Sequence, residues 1–87
     1  MYVILPYTKE KAKQLGLTVL PSIKKGKKID VYKNGKLIAS IGDTNYKDYP
    51  TYLKEDGHDV ANERRRLYRL RHTKNTLGEQ LALYLLW

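Results

Sequence analysis

Ile29-Asp30-Val31-Tyr32-Lys33-Asn34-Gly35-Lys36-Leu37-Ile38-Ala39-Ser40-Ile41 is the stretch that decides the fold class. Two runs rich in β-branched and alternating residues flank Asn34-Gly35. A two-residue type I′ turn needs φ > 0 at both central positions, and Asn followed by Gly tolerates that best. The stretch therefore predicts an antiparallel hairpin. Strand side chains alternate, so Ile29 and Val31 should share one face, as should Leu37, Ala39 and Ile41, with Gly42 ending the second strand.

Upstream, Leu17-Thr18-Val19-Leu20 is a second short apolar run, ending at Pro21. Residues 22–28 form a basic loop. Met1 to Leu5 is apolar and partly β-branched up to Pro6, and reads as a short edge strand. Thr8 is placed to cap a helix over residues 9–15, closed by Gly16. Downstream, Tyr46, Tyr49 and Tyr52 recur at spacing three. Asp48 can cap a short helix through Lys54 with Pro50 in its first turn. Gly57 separates it from a helix over residues 59–72, capped by His58 or Asp59. A break at residues 75–78 follows. Thr76 and Glu79 then make a capping box for a helix running to Trp87. The sum is one α+β domain spanning residues 1–87: a small antiparallel hairpin or three-stranded sheet covered by two or three helices.

The chain has 87 residues, with Lys plus Arg 17 against Asp plus Glu 9, a net charge of +8. Such a surplus calls for an anionic partner. There is no cysteine, hence no disulfide scaffold, thiolate metal site or Cys nucleophile. His58 and His72 are too few for a histidine metal cage. No apolar run reaches the ~18 residues of a membrane span. Met1-Tyr2-Val3-Ile4-Leu5 lacks the basic n-region of a secretory signal. The charge is also patterned. Residues 1–41 are strongly basic through lysine alone, residues 42–56 are acidic, and residues 57–87 are basic mainly through arginine. Lysine is a hydrated point charge, whereas arginine presents a planar fork for bidentate pairing.

On the arginine-rich helix, a 100° step puts Val60, Leu67 and Leu70 on one side, with Ala61 and Tyr68 on its flank. Arg65, Arg66 and Arg69 then point to solvent, either as a solvated face or as a phosphate-contacting one. Arg64 and Arg71 project near the apolar seam, where an unpaired guanidinium is too costly to bury. Asp43 and Asp48 are the expected partners, so Asp43, Asp48, Arg64 and Arg71 form the expected structural ion pairs. In the following helix, Leu77, Leu81, Tyr84 and Leu85 form one stripe and Leu83, Leu86 and Trp87 the other. The second set either plugs the core or anchors a protein contact, as tryptophan does at hot spots.

Catalytic patterns are missing. Lys25-Gly26-Lys27 is too short for a phosphate loop, no Gly-x-Ser-x-Gly elbow occurs, and no nucleophile, base and orienting group can be assembled. No enzyme activity, metal or cofactor is expected.

From Pro21 onward the chain carries Pro21-Ser22, Lys25-Gly26-Lys27-Lys28, the strand-Asn34-Gly35-Lys36-strand unit, Ser40-Ile41-Gly42, Tyr46-x-Asp48-Tyr49, Arg64-Arg65-x-x-Tyr68-x-x-Arg71-His72 and Leu86-Trp87. In that order these resemble an uncharacterised family of short basic proteins from large DNA viruses and some phage-like viral genomes. The resemblance implies a viral, non-catalytic product located in the virion or the infected cell interior.

Two functions fit. The first is non-specific nucleic-acid binding through Lys24, Lys25, Lys27, Lys28, Lys33, Lys36, Arg65, Arg66 and Arg69, which gain affinity by releasing phosphate counterions. Exposed tyrosines such as Tyr32 are then available to stack on unpaired bases. The second is a minor capsid or cement protein that contacts viral capsid proteins through Leu83, Leu86 and Trp87 without nucleic acid.

Overall fold

The structure, a computed structural model, describes residues 2–73 and 76–87. Its elements are α1 (Pro6–Gln14), β1 (Thr18–Pro21), β2 (Lys27–Lys33), β3 (Lys36–Asp43), α2 (Tyr49–Asp56), α3 (His58–Arg71) and α4 (Leu77–Leu85). The three strands form one antiparallel sheet in the order β1-β2-β3, so the α+β class predicted from the hairpin is the observed one.

The hairpin turn is left-handed at both central residues, with φ 52° at Asn34 and 78° at Gly35. Ile29 pairs with Ile41 and Val31 with Ala39, and all of these but the half-buried Ala39 are buried. Leu37 departs from the expected face. The register slips between Val31 and Tyr32, so β3 carries Ile38 as an extra residue. A bulge of this kind reverses the alternation beyond it. Ile38 consequently packs on the core while Leu37 is 43% exposed.

Residues 2–5 are not a strand; Met1 lies outside the described residues. The segment uses side chains rather than backbone to dock, burying Ile4 and sending the Tyr2 hydroxyl to Asp48. α1 starts earlier than Thr8 predicts, because Pro6 fits the first turn of a helix, where its missing N–H costs nothing. Thr8 is instead fully buried within α1, and its hydroxyl donates to the Leu85 carbonyl at 2.9 Å. Gly16, with φ 69°, closes α1 as expected: Gly16 N–H bonds Lys13 O and Leu17 N–H bonds Ala12 O.

Asp48 caps α2, its carboxylate accepting from Thr51 N–H at 3.0 Å. Neither His58 nor Asp59 caps α3; Gly57 occupies that position, with φ 88°. Thr76 caps α4 by accepting from Glu79 N–H. The box is only half formed, because the Glu79 carboxylate is engaged by His72 Nδ1 at 2.8 Å. Of the predicted break at residues 75–78, Asn75 lies outside the described residues and Gly78 lies within α4.

α3 turns its buried face away from Val60 and Leu70 toward the expected flank of Ala61 and Tyr68, with Leu67 still half-buried. Ala61 is fully buried and Arg65, Tyr68 and His72 half-buried, at positions i, i+4, i+7 and i+11, while Val60 is 41% and Leu70 66% exposed. Ala61 permits close approach, Arg65 lays its guanidinium on the Tyr49 ring, and Tyr68 stacks on Trp87. The end of the chain covers this face. Leu85 and Leu86 are buried, and Trp87 stacks on Tyr68 with centroids 4.2 Å apart.

Candidate nucleic-acid interface

Lys28 leaves the predicted binding set. It is 5% exposed, and its Nζ lies 3.0 Å from Asp48 Oδ2. Asp48 also accepts from the Tyr2 hydroxyl at 2.6 Å and from Thr51 N–H. Burial works to raise the Asp48 carboxyl, but Thr51, Tyr2 and Lys28 together outweigh it and hold the group below the usual carboxylate range. The Tyr2 hydroxyl moves the other way, raised first by burial and then by its bond to Asp48.

The predicted arginine pairs do not form. Asp48 is spent on Lys28, and Asp43 sits exposed, accepting from Asn45 N–H at 2.9 Å. Arg64 is exposed, its Cζ 5.7 Å from the Tyr52 ring centroid, and Arg71 is exposed with no carboxylate within ion-pair distance among the described residues. Asp48 caps α2 with Oδ1, and its Oδ2 is occupied by Lys28 and Tyr2 rather than by an α3 arginine.

Arg65, Arg66 and Arg69 do meet, around a shallow groove on α3 that Asn62 and Leu70 complete. They are not the free face expected. Arg65 lies over the Tyr49 ring with Cζ 3.5 Å from its centroid, and its buried Nε has no hydrogen-bond partner. Arg66 forms a bidentate bond with Glu63 at 2.6 and 3.1 Å, which lowers the Glu63 carboxyl and raises the guanidinium. Arg69 Nη2 donates to the Trp87 carbonyl at 3.3 Å.

Lys24, Lys25 and Lys27 are exposed on and beside the loop between β1 and β2, where Ile23 is 89% exposed. Lys33 and Lys36 face each other across the hairpin turn. The two lysine groups cap opposite ends of β2, about 20 Å apart for a strand of this length. Of the described lysines and arginines, only Lys28, Lys47 and Arg66 have a carboxylate within ion-pair distance; Lys47 reaches Glu55 at 3.0 Å and Asp56 at 3.1 Å.

Leu86 and Trp87 are core residues, not exposed anchors, and Leu83 is half-buried beside Arg69 and Tyr84.

Sequence reasoning missed one concave feature. A groove of about 550 Å³ opens between β3, α2 and α3, walled by Tyr46, Tyr52, Tyr68, His72 and Trp87, with Lys47, Arg64 and Arg71 around it. His72, Tyr68 and Trp87 form a column of rings at 3.9 and 4.2 Å. The signal in the sequence was Tyr46 and Tyr52 together with Arg64 and Arg71 seven residues apart; Tyr49, between the two tyrosines, is buried under Arg65.

Among the described residues no three His, Cys, Asp or Glu side chains are grouped to hold a metal ion. Among the described residues no helix is long and apolar enough to cross a membrane. No family model matches the chain, and comparison with curated proteins and with solved structures returns no match.

Proposed function

We propose that this chain is a non-enzymatic basic protein that associates with nucleic acid without reading its sequence. One observation carries the reading: among the described residues only Lys28, Lys47 and Arg66 of the lysines and arginines pair with a carboxylate, leaving Lys24, Lys25, Lys27, Lys33, Lys36, Arg64 and Arg71 exposed without a carboxylate partner. Cations of that kind bind phosphate by counterion release. A location in a viral particle, implied by the resemblance, belongs to the same proposal and is checked by co-purification with virions. The competing reading, a capsid-contact protein without nucleic acid, loses Leu86 and Trp87 as anchors, since both are buried.

The test is titration of random-sequence duplex DNA at two salt concentrations. Between about 50 and 200 mM salt, affinity should fall by orders of magnitude if several phosphates are neutralised. Lys24→Glu, Lys25→Glu and Lys27→Glu together should weaken binding while leaving the melting temperature near wild type. Binding that ignores salt, or that survives in this variant at full strength, rejects the proposal.

A further inference from the structure

We propose that the aromatic groove between β3, α2 and α3 is a subsite for an unpaired nucleotide, so that the protein prefers single-stranded to duplex nucleic acid. This rests on the nucleic-acid reading above and adds to it the form of the ligand.

The groove has the size and the chemistry for one nucleotide. Small-ligand sites run to about 300–1,000 Å³, and this one is about 550 Å³, too small to admit a duplex. Its walls offer rings with exposed surface: Tyr46 is 70% exposed and the His72 side chain 41% exposed. Every base has a π-face, so stacking on such rings is available to any unpaired base and to no base inside a duplex. The Tyr68 ring is already covered by His72 and Trp87, and Tyr52 lies beneath Arg64 and Lys47. Tyr46 and His72 are therefore the rings left to receive a base.

The phosphates are met by α3. Arg64 and Arg71 stand seven residues apart along the helix, about 10 Å by its rise, and both line the groove. They can hold the phosphates on either side of a base seated between them. Arginine suits this task because its fork binds phosphate bidentately. Asp43 is the one carboxylate on the wall, and its Oδ1 already accepts from Asn45 N–H. Lys28 also touches the groove but is committed to Asp48, and Lys47 to Glu55 and Asp56. The cations on the wall without an ion pair are Arg64 and Arg71, two positive charges against the one negative charge of Asp43.

The experiment compares a labelled oligo(dT) with a mixed-sequence duplex of equal length, by fluorescence anisotropy at one salt concentration. The variants are Tyr46→Ala and the double change Arg64→Ala with Arg71→Ala, each checked by circular dichroism and thermal melting. Wild type should bind oligo(dT) the more tightly. Tyr46→Ala should cost about tenfold on oligo(dT) and leave the duplex unaffected. The double arginine variant should reduce the salt slope on oligo(dT) by about 1.4. Equal binding of both forms, with Tyr46→Ala silent, overturns the subsite while leaving general nucleic-acid binding in place. Loss of salt-sensitive binding to both forms would remove the broader reading as well. Poly-glutamate that outcompetes oligo(dT), and does so only with Arg64 and Arg71 intact, would overturn the subsite in favour of an acidic protein segment.

Discussion

Lys27 and Lys28 are neighbours in β2, and the alternation of the strand sends one to solvent and the other onto Asp48. Replacing Lys28 by Ala leaves a buried carboxylate without its counter-charge, which costs about 3–5 kcal/mol. Lys27→Ala should stay within about 0.5 kcal/mol of wild type, as exposed substitutions do. Denaturant unfolding measures both, and equal midpoints would show that the buried pair is not structural. Arg71→Ala belongs with Lys27: the residue is exposed and strands no carboxylate, so its melt should be unchanged. The buried acids also set the pH response. Ser22, then Ser40, hold the Asp30 carboxyl below its usual range through 2.6 Å bonds, and Asp48 is held low as well. A carboxyl depressed in the fold contributes fully above its unfolded value and loses that contribution as pH falls through the folded one. Stability should therefore be flat near neutrality and decline below about pH 4. Asp30→Asn should flatten the acid limb; an unchanged limb in a pH series of melts would reject this assignment.

At the level of elements, what could be read in advance was whatever short-range backbone chemistry decides. Asn34-Gly35 declared the turn, Asp48 with Pro50 declared the start of α2, and Gly16 declared the end of α1. What could not be read depended on distant partners. The bulge at Ile38 answers to packing under β3, and the buried side of α3 answers to Tyr49 and Trp87. Gly42 is another case of this kind. Gly26 and Gly42 have nearly the same φ, 84° and 83°, but a Cβ at Gly26 meets nothing within 4 Å. At Gly42 it would lie 2.9 Å from Leu86 Cδ1 and 3.0 Å from Lys28 Cβ. Both Ala substitutions pay the left-handed strain, about 1–2 kcal/mol. Gly42→Ala should cost a further 1–3 kcal/mol, roughly the range for overpacking. Equal unfolding midpoints for the two variants would mean that Leu86 and Lys28 yield freely.

For the whole molecule, the surplus of +8 acts on folding and on binding with opposite signs. The lysine surface was legible because a charge surplus must go somewhere exposed. The aromatic groove was not, because it is assembled from β3, α2 and α3 and from Trp87, which no local pattern brings together. Lys24, Lys25 and Lys27 crowd one end of β2 and Lys33 with Lys36 the other; none has a carboxylate within ion-pair distance among the described residues, and at the first end only Asp43, opposite Lys27, and Asp30, near Lys24, offset them in part. Their mutual repulsion opposes the compact state and is screened by salt, with a Debye length of about 30 Å at 0.01 M and about 10 Å at 0.1 M. Raising the salt from about 0.01 to 0.1 M should therefore raise the melting temperature of the free protein. Over the same range it should weaken its hold on DNA, because released counterions are then worth less. The exposed pairs Lys47 with Glu55 and Asp56, and Arg66 with Glu63, are weakened by the same salt, but pairs of this kind contribute little. Repulsion thus sets the sign. Calorimetry across the salt series decides it: a melting temperature that falls with salt would mean that attractive pairs dominate the surface, and that the cations assigned to a polyanion are already neutralised within the fold.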